Sequence, residues 1–105
     1  MQLKVSSPGH DLKDSDIDRI QKDLEKLDRR LEKVDEFYVE CRINGTDSAA
    51  PGYNVLLELE YRRNHLRAKA ENADMGQAVR EARDDLIRQI NDRKRGGHSS
   101  FAKRR

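Results

Sequence analysis

Hydrophobic and polar residues alternate in four short stretches of the chain and step at helical spacing in two longer ones. In MQLKVSS, Leu3 and Val5 fall on one side and Gln2, Lys4 and Ser6 on the other, a period of two that predicts a strand, which PGH then breaks. From Ile17 the apolar positions become Ile20, Leu24, Leu27 and Leu31, steps of three and four that predict an amphipathic helix of about four turns. Ser15 suits its N-cap, with Asp18 three residues on. EFYVECRING alternates again, with Phe37, Val39, Cys41 and Ile43 sharing a face opposite Tyr38, Glu40 and Arg42. TDSAAPG reads as a loop. Val55, Leu57, Leu59 and Tyr61 form the inward side of a third strand, Arg63-Asn64 a tight turn, and Leu66, Ala68 and Ala70 the inward side of a fourth. Met75, Ala78, Val79, Ala82, Leu86 and Ile90 then mark a second helix from an Asp74 N-cap to about Arg95, where Gly96-Gly97 stops it.

The predicted order is β-α-β-β-β-α. Each strand has one apolar and one polar face, so a four-stranded sheet with both helices on one face follows, a two-layer α+β domain like that of double-stranded RNA-binding domains. The helical crossover makes the first two strands parallel, and the later pairs form antiparallel hairpins. A chain of 105 residues suits one domain. We place it at residues 1–95, with 96–105 as a flexible basic tail.

Charge alters this picture more than composition does. Residues 1–60 carry 9 basic and 14 acidic side chains, net −5, and residues 61–105 carry 13 and 6, net +7. A basic C-terminal half on a mixed-charge body points to nucleic acid or another anionic surface. On a helical wheel with Ile17 at zero, the apolar residues of the first helix centre near about 310°, whereas Arg19, Lys22, Lys26, Arg29, Arg30 and Lys33 fall between about 120° and 220°. The acids sit on the rims, Asp18, Glu25, Asp28 and Glu32 on one side and Asp16 and Asp23 on the other. A face built for solubility alone would intersperse the signs and pair Asp18 with Lys22 and Glu25 with Arg29. A continuous basic stripe instead suits phosphate contacts. The second helix adds Arg80 and Arg83 on one flank of its apolar stripe, and Arg88, Arg93, Lys94 and Arg95 in its last turns.

Other chemistry is sparse. His10, His65 and His98 lack metal-ligand spacing, and Cys41 belongs to an inward pattern, so no metal or other cofactor is expected. No glycine-rich phosphate loop is present, and Asp84 and Asp85 face different ways on their helix, so no enzyme is expected. Tyr38 alone is placed to be exposed on a strand, too little for a base-stacking platform. No stretch approaches the roughly 18 apolar residues of a membrane span, and the start lacks the apolar run of a signal peptide. With a lone cysteine, the expected compartment is the cytoplasm, without membrane contact.

The segment AKAENADMGQAVREARDDLIRQINDRK resembles the end of the fourth strand and the second helix of the ribosome hibernation-promoting factor and ribosome-associated inhibitor family, also called the sigma-54 modulation protein family. Its pattern there is matched by Ala68, Ala70, Asp74, Met75, Ala78, Asp84, Leu86, Arg88, Gln89 and Lys94. KLDRRLEKVDEFYV is similar to a second family segment through Lys26, Leu27, Leu31, Val34, Tyr38 and Val39. With MQLKVSS, the likeness spans roughly residues 1 to 95 and implies the same β-α-β-β-β-α fold.

It further implies a bacterial stress-response factor that inhibits translation by binding 16S-type rRNA of the small ribosomal subunit near the decoding centre, over the mRNA and tRNA sites. The short type, a monomer off the ribosome, fits best, and a ribosome-dimerising modulation factor is a further partner the family implies. Lys26, Arg88 and Lys94 stand at the family's basic rRNA-contacting positions, whereas Asp23, Asp85 and Asp92 stand where lysine is usual and Gly76 where tyrosine is usual. Two other readings are a double-stranded RNA-binding module and an interaction domain for an acidic protein partner. The first kind of module begins with a helix and opens its last helix with lysines, whereas here a strand comes first and the last helix opens ADMGQAVRE.

Overall fold

The structure is a computed structural model that describes residues 1–8, 12–31, 36–45 and 52–94. Strand β1 (Gln2–Ser6) is followed by helices α1 (Asp14–Leu24) and α2 (Lys26–Arg30), strands β2 (Tyr38–Gly45), β3 (Tyr53–Tyr61) and β4 (Asn64–Asn72), and helix α3 (Met75–Lys94). The sheet order is β1-β2-β3-β4, with β1 parallel to β2 and the other pairs antiparallel, as the helical crossover and the hairpin connections predict.

Register carries the two-residue period across the sheet. Leu3, Val39, Leu59 and Leu66 form one inward row, and Val5, Cys41, Leu57 and Ala68 the next. Against these rows pack Ile20, Leu24, Leu27 and Leu31 from the first helical stretch and Ala78, Val79, Ala82, Leu86 and Ile90 from α3. Burying one such leucine contributes roughly 1.5–3 kcal/mol, so this layer supplies most of the stabilisation a small, highly charged chain has available.

Three local features differ from the sequence reading. The first helix is interrupted at Glu25, whose amide reaches Gln21 O at 3.0 Å and Lys22 O at 3.3 Å, while Asp28 N bonds Glu25 O at 2.9 Å, a local tightening of the turn. Its start lies at Asp14 rather than after Ser15: the Asp16 carboxylate accepts the Lys13 amide at 3.2 Å, the acid's half of a capping box. The β3–β4 turn is Arg62-Arg63, not Arg63-Asn64, because Asn64 pairs with Tyr61. Both arginines have positive φ, 50° and 77°. A left-handed backbone costs a non-glycine residue roughly 1–2 kcal/mol.

The Asp74 cap is as expected, its Oδ1 accepting from Gly76 N at 3.0 Å. The loop over 46–51, the helix stop at Gly96-Gly97 and the tail at 96–105 lie outside the described residues.

Candidate nucleic-acid interface

The basic stripe survives folding as a surface. Arg19 and Lys22 on α1, and Lys26, Arg29 and Arg30 on α2, are all exposed, because Ile20, Leu24 and Leu27 of the same turns are fully buried and fix which side faces out. Among the described residues none of these five cations forms a salt bridge or a side-chain hydrogen bond, so the i±4 pairs with Asp18 and Glu25 are not made. Like charges held together without counter-ions repel at low salt, and the surface favours any ligand that brings negative charge. Lys33 and Arg95 lie outside the described residues, and Lys94 closes α3.

The cations of α3 behave differently. Arg83 is buried, 7% exposed, and its guanidinium donates to Asp84 Oδ1 and to the main-chain oxygen of Asp23. Its expected place on an RNA-binding flank is therefore corrected, since α1 covers that flank and Arg83 joins the two helices. Arg80 is half-buried and lies 3.5 Å from the Asp23 carboxylate, with Gln77 Oε1 as a second acceptor at 3.2 Å. Arg88 pairs with Asp85 at 3.3 Å, and Arg93 donates to Asn64 Oδ1 at 3.0 Å. Arg88 and Arg93 are exposed, and the Arg88–Asp85 pair exchanges readily for phosphate because exposed ion pairs contribute little.

Two departures from the family pattern meet at one place. A Cβ at Gly76 would lie 3.2 Å from Arg80 Nη1, so glycine leaves room for the guanidinium that reaches Asp23. A wheel drawn for a single helix cannot show this role of Asp23, because the group it engages comes from a helix 57 to 60 positions further along the chain.

The open face of the sheet suits phosphate poorly. Glu40 opposes Glu58 directly, and a groove of about 400 Å³ is lined by Lys4, Tyr38, Glu40, Glu58, Glu60 and His65 among others. Burial pushes the Glu58 carboxyl up, but hydrogen bonds from Arg67 and His65 and their charges together outweigh it and hold the pKa below the usual carboxylate range. Tyr38, 47% exposed, donates to Glu36 Oε2 at 2.8 Å, which with the charge of Glu36 raises its pKa. Cys41 is fully buried, and burial pushes its thiol up to about 12, as befits a core residue. Among the described residues no three His, Cys, Asp or Glu side chains are grouped to hold a metal ion, and no helix is long and apolar enough to cross a membrane.

The fold agrees with that of the proteins the chain is similar to. The family model described as Sigma 54 modulation protein / S30EA ribosomal protein matches residues 3–96. The N-terminal domain of Protein Y from Thermus thermophilus superposes with a TM-score of 0.73 at 22% identity, over 86% of this chain and 96% of that one. A ribosomal subunit interface protein from Coxiella burnetii gives 0.72 at 17% identity, over 90% of this chain and 99% of that one. No curated protein matches the chain in sequence.

Proposed function

Because the chain belongs to the sigma 54 modulation protein / S30EA ribosomal protein family, we propose that it is a non-enzymatic cytoplasmic factor that binds rRNA of the small ribosomal subunit near the decoding centre and blocks the mRNA and tRNA sites under stress. The observation that carries this reading is the row of five exposed cations, Arg19, Lys22, Lys26, Arg29 and Arg30, unpaired among the described residues. Rigid helices present them together, so each can meet a backbone phosphate without first breaking an internal ion pair. Arg88 and Arg93 extend the surface along the end of α3. Recognition is by backbone and shape, since Tyr38 is the one exposed aromatic among the described residues and lies on the opposite face.

Co-sedimentation with purified bacterial small ribosomal subunits over a salt series tests the reading. The five contacts of this row alone contribute about −4 to the slope of log K against log salt. Charge reversal in K22E/K26E/R29E removes binding and relieves inhibition of cell-free translation. Absence of binding by the parent chain at low salt, or inhibition unchanged by the reversal, refutes it.

A further inference from the structure

The two residues that turn the chain between β3 and β4 are arginines that lie outside the surface assigned so far. Tyr61 pairs with Asn64, so the loop is Arg62-Arg63 alone, and positive φ at both makes it a type I′ turn. Asn-Gly fills such a turn with little steric cost, whereas an L-residue with a Cβ is disfavoured at each position. The length and charge of arginine do nothing to ease these dihedrals. Both side chains are exposed at the tip of the hairpin. Backbone held in unfavourable regions recurs at ligand-binding positions, and here the residues so held are cations.

The tip also lies at the end of the domain where other exposed cations are placed. Arg93 Nη1 donates to Asn64 Oδ1 at 3.0 Å, which sets the last turns of α3 against the hairpin. The amino group of Met1 lies 4.0 Å from Asp28 Oδ1 of α2, and Gln2, Tyr38, Glu60 and His65 form one cross-strand row from there to the tip. The end of α2 with Arg29 and Arg30, the end of α3 and the hairpin tip therefore share one end of the domain.

We propose that Arg62 and Arg63 form a second phosphate-binding contact that carries the RNA-binding surface from the helices round the end of the sheet. The inference rests on the RNA-binding reading above and adds to it a contact on the sheet layer. Its ligand is the sugar-phosphate backbone: a guanidinium fork matches phosphate oxygens in pairs, and a two-residue turn fixes the backbone from which both forks project.

The test uses the full chain, purified small subunits and a salt series. In R62N/R63G the turn gains the residues its dihedrals favour, so Tm rises while affinity falls about tenfold and the slope of log K against log salt flattens by about 1.5. R62Q/R63Q, which removes charge while keeping a Cβ at both turn positions, loses affinity and slope in the same way, and R62K/R63K keeps the slope while losing the part of the affinity that the forks supply. Parent-like affinity and slope in R62Q/R63Q overturn the proposal. If K22E/K26E/R29E abolishes binding while R62Q/R63Q leaves it intact, only the hairpin contact falls; if the parent chain does not bind, both readings fall.

Discussion

Arg83 of α3 donates to the main-chain oxygen of Asp23 on α1 at 3.2 Å, so one helix holds the backbone of the other. The interruption at Glu25 lies two residues beyond that oxygen, and the guanidinium gives it a charged donor where the helix breaks. Replacing Arg83 with alanine leaves a carbonyl at the helix interface without its charged donor, at a cost of about 2 kcal/mol and a fall in Tm of about 10 °C. Thermal unfolding measures the loss. The salt slope for small-subunit binding stays at the parent value, because Arg83 has no surface to offer phosphate.

Neutralising the stripe should have the opposite profile. Lys22, Lys26 and Arg29 make no ion pairs among the described residues, so changing each to glutamine alters stability by no more than about 0.5 kcal/mol. Denaturant midpoints of K22Q/K26Q/R29Q close to the parent value, alongside weakened RNA binding, would separate the recognition role from any structural one. A large loss of stability would show that these side chains have structural partners.

Gly76 lies in the first turn of α3, where alanine is favoured over glycine by up to about 1 kcal/mol. Against that gain stands the 3.2 Å approach to Arg80 Nη1, the tip of a flexible, partly exposed side chain whose ion pair with Asp23 is worth little. Gly76→Ala therefore stabilises by about 0.5 kcal/mol and frees Arg80 from Asp23. A rise in Tm checks the first effect, and a steeper salt slope for RNA binding checks the second.

Cys41 is sealed beneath the helices with a thiol pushed up to about 12, against 9.0 when free. At pH 8 the native thiol stays protonated, and alkylation by iodoacetamide proceeds at the rate at which the domain opens. A raised folded pKa stabilises fully below the unfolded value of 9.0 and is lost as pH climbs from there towards about 12, so Cys41→Ala flattens the alkaline side of the stability profile over that window. Rapid labelling under native conditions would contradict this.

The layers were legible in the sequence because both periods are strong: Val39, Cys41 and Ile43 alternate cleanly, and Ile20, Leu24 and Leu27 step cleanly. The sequence pattern sets the β3–β4 turn one residue late because Asn64 is a better turn former than Arg62, and pairing with Tyr61 overrides that preference. Of the candidate interface, the face of the first helical stretch was readable because one helix defines it. The burial of Arg83 is not legible, because its environment depends on α1 and the angle of a residue about its helix axis carries no record of what the next helix covers.

The order of strands also sets an order of assembly. β2, β3 and β4 are neighbours in sequence as well as in space and close on short connections, and α3 follows directly across β3 and β4. β1 reaches β2 only after the helical crossover, so its pairing closes the longest loop of any strand pair in the sheet. The segment from β1 to α2 is thus the last to add and the first to open, and amides of β1 exchange with solvent before those of β3. That segment holds the cationic helices, so a polyanion that grips them also clamps the weakest seam of the fold, and protection of β1 amides on binding would report the clamp directly.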